Sequence, residues 1–118
     1  MKENVVKTKS FDFALRIVNL HKYLVNEKKE YVLSKQLLRA GTAIGALVKE
    51  SEHAQSRADF IHKLSIALKE ANETEYWLEL LFKSDYISVN EYDSIINDVN
   101  ELLRILISII KTTKSSKN

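Results

Sequence analysis

Four long segments of this chain place apolar residues at helical spacing, and no segment sustains the alternation of a strand. The segments cover about residues 10–26, 33–53, 57–84 and 89–113. In each of them apolar residues recur every three or four positions. Proline, which interrupts helices, is absent from the whole chain. Because only short polar connections separate the segments, neighbouring helices are expected to run antiparallel. The sequence therefore predicts an all-α, up-down-up-down four-helix bundle in a single domain, residues 1–118.

Two capping patterns mark the expected starts of the third and fourth helices. Ser56 stands three residues before Asp59, and Ser88 stands three residues before Glu91. At this spacing a serine hydroxyl accepts a hydrogen bond from a free backbone N–H in the first turn of a helix. The third and fourth helices are therefore expected to begin directly after these serines.

The chain has only two glycines, and both lie in the middle of the second segment. A glycine inside a helix costs about 1 kcal/mol relative to alanine, so Gly41 and Gly45 need a structural reason. Their four-residue spacing places them on one helix face, where another helix can approach closely. That helix belongs either to the same bundle or to another subunit, and the sequence leaves both alternatives open.

Two stretches are more apolar than the surface of a lone bundle requires. Only Arg104 and Ser108 interrupt the apolar residues of 102–110, and a second apolar stretch surrounds Trp77 and Leu80. A helix that is apolar nearly all round is covered on more than one side, so self-association is expected. The candidate subunit contacts are Gly41, Gly45, Trp77, Leu80, Ile105, Ile107 and Ile109.

Charge is unevenly distributed along the chain. Residues 1–49 contain 10 Lys/Arg against 4 Asp/Glu, residues 50–101 contain 4 against 12, and residues 102–118 contain 4 against none, giving +6, −8 and +4. The second segment carries a cationic stripe with no acid in it, formed by Lys35, Arg39, Thr42, Ala46, Lys49 and His53. Either basic and acidic helices neutralise each other, within the bundle or between subunits, or the basic face binds a polyanion such as RNA or DNA. The candidate nucleic-acid contacts are Arg16, Lys35, Arg39, Lys49, Arg57 and Lys63.

Side chains that could carry catalysis or hold a metal are sparse. The chain has no cysteine, which excludes thiolate ligands and a cysteine nucleophile. Glu50 and His53 have the Glu-x-x-His spacing of di-iron bundles. The nearest second pair, Asp59 and His62, falls just across the predicted turn, so the two pairs do not surround a midplane site. We therefore expect no enzyme activity, no metal site and no cofactor.

The longest apolar run is far shorter than the roughly 20 residues that span a bilayer. The first residues, "MKENVVKTKSFDF", lack the apolar run of a signal peptide. We therefore expect a soluble, cytoplasmic protein without a membrane partner.

Two stretches carry a family resemblance. "SKQLLRAGTAIGALVKE" and "SRADFIHKLSIALKEANETEYWLELL", followed by a closing apolar helix, resemble the bacterial four-helix-bundle proteins encoded by intervening sequences in 23S ribosomal RNA genes. The accessory variability protein of diversity-generating retroelements is a relative of that family. The resemblance covers roughly residues 11–111, and Arg39 and Glu50 fall on the family's recurrent Arg and Glu. It implies a left-handed bundle, a homopentamer with a central channel, a basic surface that meets nucleic acid, and no known catalysis.

The chain departs from the family pattern at three positions. Ala43, Leu47 and Ser51 stand where the family typically has Ser, Asn and Gly, so a polar contact made by that Asn would be lost. Two functions stay open: a non-catalytic oligomer that binds RNA or DNA, and a protein–protein scaffold that recruits a nucleic-acid enzyme such as a reverse transcriptase. Salt weakens the first kind of contact steeply, whereas it affects a largely apolar contact little.

Overall fold

The structure, a computed structural model, describes residues 2–116, with side chains from residue 4 onward. It contains four helices: α1 Lys2–Asn26, α2 Leu33–Ser51, α3 Arg57–Lys83 and α4 Val89–Ser115. Consecutive helices pack together and α1 also packs on α4, so the four surround one core in a body of 50 × 22 × 19 Å. The predicted all-α four-helix bundle is confirmed. Its left-handed twist stays a prediction.

All four helices contribute aliphatic side chains to the core. Ile17 of α1, Ile44 of α2, Leu78 of α3 and Leu106 of α4 are completely buried. Ile109, a predicted subunit contact, is 2 % exposed and belongs to the same core. Position 109 follows Leu106 on the inner face of α4, where the chain's own helices cover it.

The two helical glycines lie where α1 crosses α2. A Cβ atom built on Gly41 would lie 2.7 Å from Cγ1 of Ile17, and one built on Gly45 would lie 3.1 Å from the carbonyl oxygen of Ser10. Both distances are shorter than ordinary van der Waals contact. Of the two alternatives for these glycines, the structure shows the one within the bundle. Gly41 is buried there by the chain's own α1.

Helix α1 begins at Lys2 and not at residue 10. Serine is typical of a helix start, but Ser10 is an interior helical residue. It is 1 % exposed, and its hydroxyl donates to the Lys7 carbonyl at 3.2 Å. A Cβ on Gly45 of α2 would lie 3.1 Å from the Ser10 carbonyl oxygen and 3.6 Å from its Oγ, so Ser10 is buried against α2. Helix α2 also ends slightly earlier than predicted, at Ser51.

Serine caps begin α3 and α4 as predicted. The Ser56 hydroxyl accepts from the Asp59 N–H at 3.0 Å, and the Ser88 hydroxyl accepts from the Glu91 N–H at 3.1 Å.

Helix α2 begins differently, on a buried carboxylate. Glu30 is 6 % exposed and accepts hydrogen bonds from the backbone N–H groups of Val32 at 2.7 Å, Leu33 at 2.9 Å and Ser34 at 3.1 Å. In return, the Ser34 hydroxyl donates to the Glu30 carbonyl at 2.7 Å. One side chain thus satisfies the free donors that three residues present at a helix start.

The two turns at this end of the bundle use left-handed backbone without glycine. Lys29 between α1 and α2 has φ 55°, and Asp85 between α3 and α4 has φ 69°. Aspartate tolerates this region, whereas lysine pays the usual cost of a Cβ crowded against a carbonyl. The chain thus uses its glycines for helix packing and not for its turns.

Candidate nucleic-acid interface

The six cations predicted to contact nucleic acid fall into two groups. Arg16, Arg39 and Lys63 form ion pairs with carboxylates of the same chain. Lys35, Lys49 and Arg57 have no carboxylate partner among the described side chains, although Arg57 is hydrogen-bonded to a carbonyl. The six candidate contacts are therefore divided in the structure into paired and unpaired cations.

Arg16 joins α1 to α4. Its guanidinium donates to Asp98 at 2.8 Å, to Glu91 at 2.5 Å and to the Ser94 hydroxyl at 2.9 Å. Partial burial lowers the pKa of Arg16, but the hydrogen bonds and charges of Asp98 and Glu91 outweigh it, so its pKa is raised overall. An arginine held by two carboxylates in its own chain is a structural cation.

Arg39 is neutralised by acids that the sequence stripe did not show. Its guanidinium contacts Glu70 at 3.3 Å and Glu73, both on α3. Glu73 also accepts a hydrogen bond from the indole nitrogen of Trp77 at 2.9 Å. The middle of the α2 stripe thus forms a polar link to α3, and Trp77, a predicted subunit contact, is a half-buried member of that link.

At the end of the bundle that holds the α2–α3 turn, three carboxylates are engaged within the chain. Glu50 pairs with Lys63 at 3.2 Å, and Glu52 pairs with Lys7 at 3.2 Å. The Asp59 carboxylate accepts from the Gln55 N–H at 3.2 Å.

Cations at the same end have no carboxylate. Lys49, Lys111 and Lys114 are exposed and form no ion pair among the described side chains. Arg57 donates to the Ser116 carbonyl at 2.6 Å, which holds the end of α4 against the start of α3. We call the surface of Lys49, Arg57, Lys111 and Lys114 the basic end. Lys111 and Lys114 were not among the predicted contacts, although the +4 charge of residues 102–118 was a signal for them.

The predicted subunit contacts on α3 and α4 differ in exposure. Leu80 and Ile107 are 36 % and 45 % exposed, whereas Ile105 is half-buried. Two further apolar side chains with larger exposed fractions, Phe11 at 62 % and Leu15 at 51 %, lie one turn apart on α1. The sequence assigns them to no face, because their helical spacing is indistinguishable from that of core residues.

Within residues 2–116, no three His, Asp or Glu side chains come together as a metal site would require. The same part of the chain contains no helix that is both long and apolar enough to cross a bilayer.

Comparison with known proteins places this bundle in a family. The model of the 23S rRNA-intervening sequence protein family matches residues 2–108. The chain belongs to this family. Among solved structures, it is similar to a protein of unknown function from the S23 ribosomal protein family of Bacteroides thetaiotaomicron, with 68 % identity and a TM-score of 0.93. That similarity covers 94 % of this chain and 99 % of the other. The search of the curated proteins gave no significant match.

The three residues that depart from the family pattern, Ala43, Leu47 and Ser51, all lie at least partly buried on α2. Ser51 is buried and donates to the Val48 carbonyl at 2.6 Å, and Leu47 packs against the core. Ala43 is half-buried. These residues continue the packing of α2 and leave the cations of the basic end unaltered.

Proposed function

We propose that this family member is a non-catalytic homo-oligomer that binds nucleic acid through the basic end. The observation that carries the proposal is the imbalance at that end. Glu50, Glu52 and Asp59 are engaged within the chain, while Lys49, Arg57, Lys111 and Lys114 have no carboxylate partner among the described side chains. Lys and Arg side chains that neutralise phosphates release counterions and so favour binding.

The arrangement of these cations favours a broad, folded nucleic acid. Lys49 comes from α2, Arg57 from α3, and Lys111 and Lys114 from α4, so the charges surround one end of a rigid bundle. Contacts of this kind position phosphates and carry no direct sequence information. We therefore propose binding to structured RNA such as the 23S rRNA after which the family is named.

Oligomer formation is the second part of the proposal. Phe11 and Leu15 expose apolar surface on α1, and Leu80 and Ile107 do so on α3 and α4. Exposed apolar side chains on several faces favour contact with further copies. A pentamer, which the resemblance implies, would present several basic ends and raise the affinity through multivalency.

The test is binding of a labelled, structured rRNA fragment at about 50 and 200 mM salt. The wild type is expected to bind more weakly at the higher salt. A Lys49/Lys111/Lys114→Gln variant is expected to bind more weakly at both, with a slope of log affinity against log salt smaller by roughly 3, or about one per phosphate contact. Light scattering on the same samples gives the oligomeric state.

A matched control removes three exposed cations elsewhere, as Lys69/Lys83/Arg104→Gln. Its net charge equals that of the first variant, so an equal loss of binding would reduce the effect to net charge and refute the basic end. No binding at 50 mM salt by an assembled oligomer would refute the function itself.

The exposed α1 side chains also favour the alternative, a scaffold that recruits a nucleic-acid enzyme such as a reverse transcriptase. A Phe11→Asn/Leu15→Asn variant distinguishes the two uses of this face. Dissociation of the oligomer assigns the face to subunit contact. An intact oligomer that no longer retains a partner at high salt assigns it to recruitment.

A further inference from the structure

The turn between α1 and α2 carries an exposed basic and aromatic surface at the end opposite the basic end. Tyr31 is 58 % exposed and Val32 is 73 % exposed, while Lys28, Lys29 and Lys35 are exposed around them. None of the three lysines forms an ion pair among the described side chains. We call these five residues the turn surface.

The acid inside this stretch faces inward. Glu30 is the only carboxylate between Lys28 and Lys35, and it is buried under the turn by its bonds to the α2 backbone, whereas Glu27 directly before Lys28 is exposed. The turn is held further by a bond from the Glu30 N–H to the Leu24 carbonyl at 3.0 Å, and by a 3.1 Å contact between His21 Nδ1 and the Ser34 carbonyl. The exposed ring and cations therefore rest on a fixed backbone.

Lys29 occupies a backbone position that favours glycine. At φ 55° the Cβ of an L-residue is crowded against a carbonyl, yet the position holds a long cation with no ion pair among the described side chains. Strained backbone is concentrated at functional sites, so the left-handed backbone of Lys29 favours a binding role for its side chain.

We propose that the turn surface is a second nucleic-acid contact, one that binds unpaired nucleotides. A base stacks on the Tyr31 ring, and Lys28, Lys29 and Lys35 contact the phosphates on either side. The inference deepens the proposed function and rests on it, because one folded RNA would bind the basic end with its paired part and the turn surface with its unpaired part. Only unpaired bases offer a free face to an aromatic ring, and such stacking tolerates any base.

The neighbouring turn explains why a narrow strand fits and a broad anionic surface does not. The α3–α4 turn lies at the same end of the bundle and exposes Asp85 and Asp93, which have no ion pair among the described side chains. A duplex or an anionic membrane laid across this end would bring its phosphates against these carboxylates. A single strand can follow the α1–α2 turn alone.

The test compares a labelled 12-nucleotide oligouridine with a 12-base-pair RNA duplex by fluorescence anisotropy at about 50 mM salt. Tyr31→Ala is expected to weaken oligouridine binding about 10-fold, the range of losses seen when a stacked ring is removed, and to leave duplex binding unchanged. Tyr31→Phe is expected to restore oligouridine binding. Lys29→Gly suits the φ of the turn, so it is expected to reduce the salt slope by about 0.7 without a loss of thermal stability.

Two results would overturn this inference while the proposed function stands. In the first, duplex binding depends on the basic end and Tyr31→Ala leaves oligouridine binding unchanged. In the second, Tyr31→Ala weakens the binding of both RNAs equally. Binding to phosphatidylglycerol vesicles that Tyr31→Ala abolishes, with oligouridine binding intact, would assign the turn to a membrane and overturn it too. Failure of wild type to bind either RNA would overturn both proposals.

Discussion

Helix α1 has two neighbours and contacts them in opposite ways. Against α2 it lies so close that a Cβ on Gly41 would overlap the Ile17 side chain and one on Gly45 would crowd the Ser10 carbonyl. Against α4 it is joined by charged side chains, chiefly Arg16. Close packing tolerates no added atom, whereas long polar side chains span a gap and can rearrange. The α1–α2 contact is therefore expected to be steric and specific, and the α1–α4 contact electrostatic and adaptable.

The largest effect is expected from filling the close contact. Gly41→Val would place new carbon atoms in the space of Ile17, and overpacking of this kind costs about 3 kcal/mol. Chemical denaturation followed by circular dichroism measures the loss in the free energy of unfolding.

The matched test adds Ile17→Ala to the same chain. Because the smaller side chain makes room for valine, the double variant should lose at least about 1 kcal/mol less than the sum of the single losses. Strict additivity would show that Gly41 is not limited by Ile17.

A smaller effect is expected on the polar side of α1. Arg16→Ala leaves Glu91 and Asp98 without their shared cation, and its side chain is only 30 % exposed, so a loss of about 2 kcal/mol is expected. The loss should shrink when denaturation is repeated in 1 M salt, because salt screens partly exposed charges.

Lys9→Ala serves as the control for Arg16. Lys9 pairs with Glu101 at 3.1 Å across the same two helices, but both side chains are more than 40 % exposed. A pair of this kind contributes about 0.5 kcal/mol. Equal losses for the two variants would refute the distinction between a held arginine and an ordinary surface pair.

The two helix starts at one end of the bundle give the third comparison. Glu30→Ala removes the acceptor for three N–H groups of α2, and a loss of about 1.5 kcal/mol is expected; Ser88→Ala removes the single cap of α4 and should cost about 1 kcal/mol. Thermal unfolding of both variants checks the order, and Glu30→Gln, which keeps one acceptor oxygen, should fall between wild type and Glu30→Ala. A larger loss for Ser88→Ala would contradict the role given to Glu30.

The smallest effect on stability is expected from Tyr92, which lies near acidic residues of α3 and α4, at high pH. Burial raises the pKa of the Tyr92 phenol above its ordinary value of 10.0, and the charges of Glu79, Glu75 and Asp93 raise it further. The unfolded chain therefore releases this proton first, so the stability due to Tyr92 is complete below pH 10 and is lost as the pH rises through the folded pKa. Tyr92→Phe should lose less stability than wild type between pH 9 and 11, and parallel curves would contradict the shift.

Local patterns predicted most of the fold. The serine caps of α3 and α4 and the apolar spacing fixed those helices closely, because both signals depend on residues within one or two turns. The start of α1 was missed at Ser10. Ser10 is buried against α2, which lies far away in the sequence. No local pattern distinguishes a serine that caps a helix from a serine that packs against another helix.

The candidate site was predicted less well, for a related reason. Lys35 and Lys49 are exposed cations as the α2 stripe indicated, but Arg39 between them is neutralised by acids of α3. Its partner Glu73 lies 34 residues away in the chain. Which cations are left without a carboxylate depends on such distant pairs, and helical spacing on one segment contains no information about them.

The contact of α1 with α2 also sets how far along each other these two helices lie. Moving α1 by one turn in either direction would bring Val6 or Phe13 to the place of Ser10, and either side chain is larger than the serine that packs beside Gly45 there. The two glycines thus act as an axial stop, which selects one register among those that the apolar stripes alone would permit. The alignment of the turns at the two ends of the bundle, and with it the placement of every charged side chain there, follows from that stop.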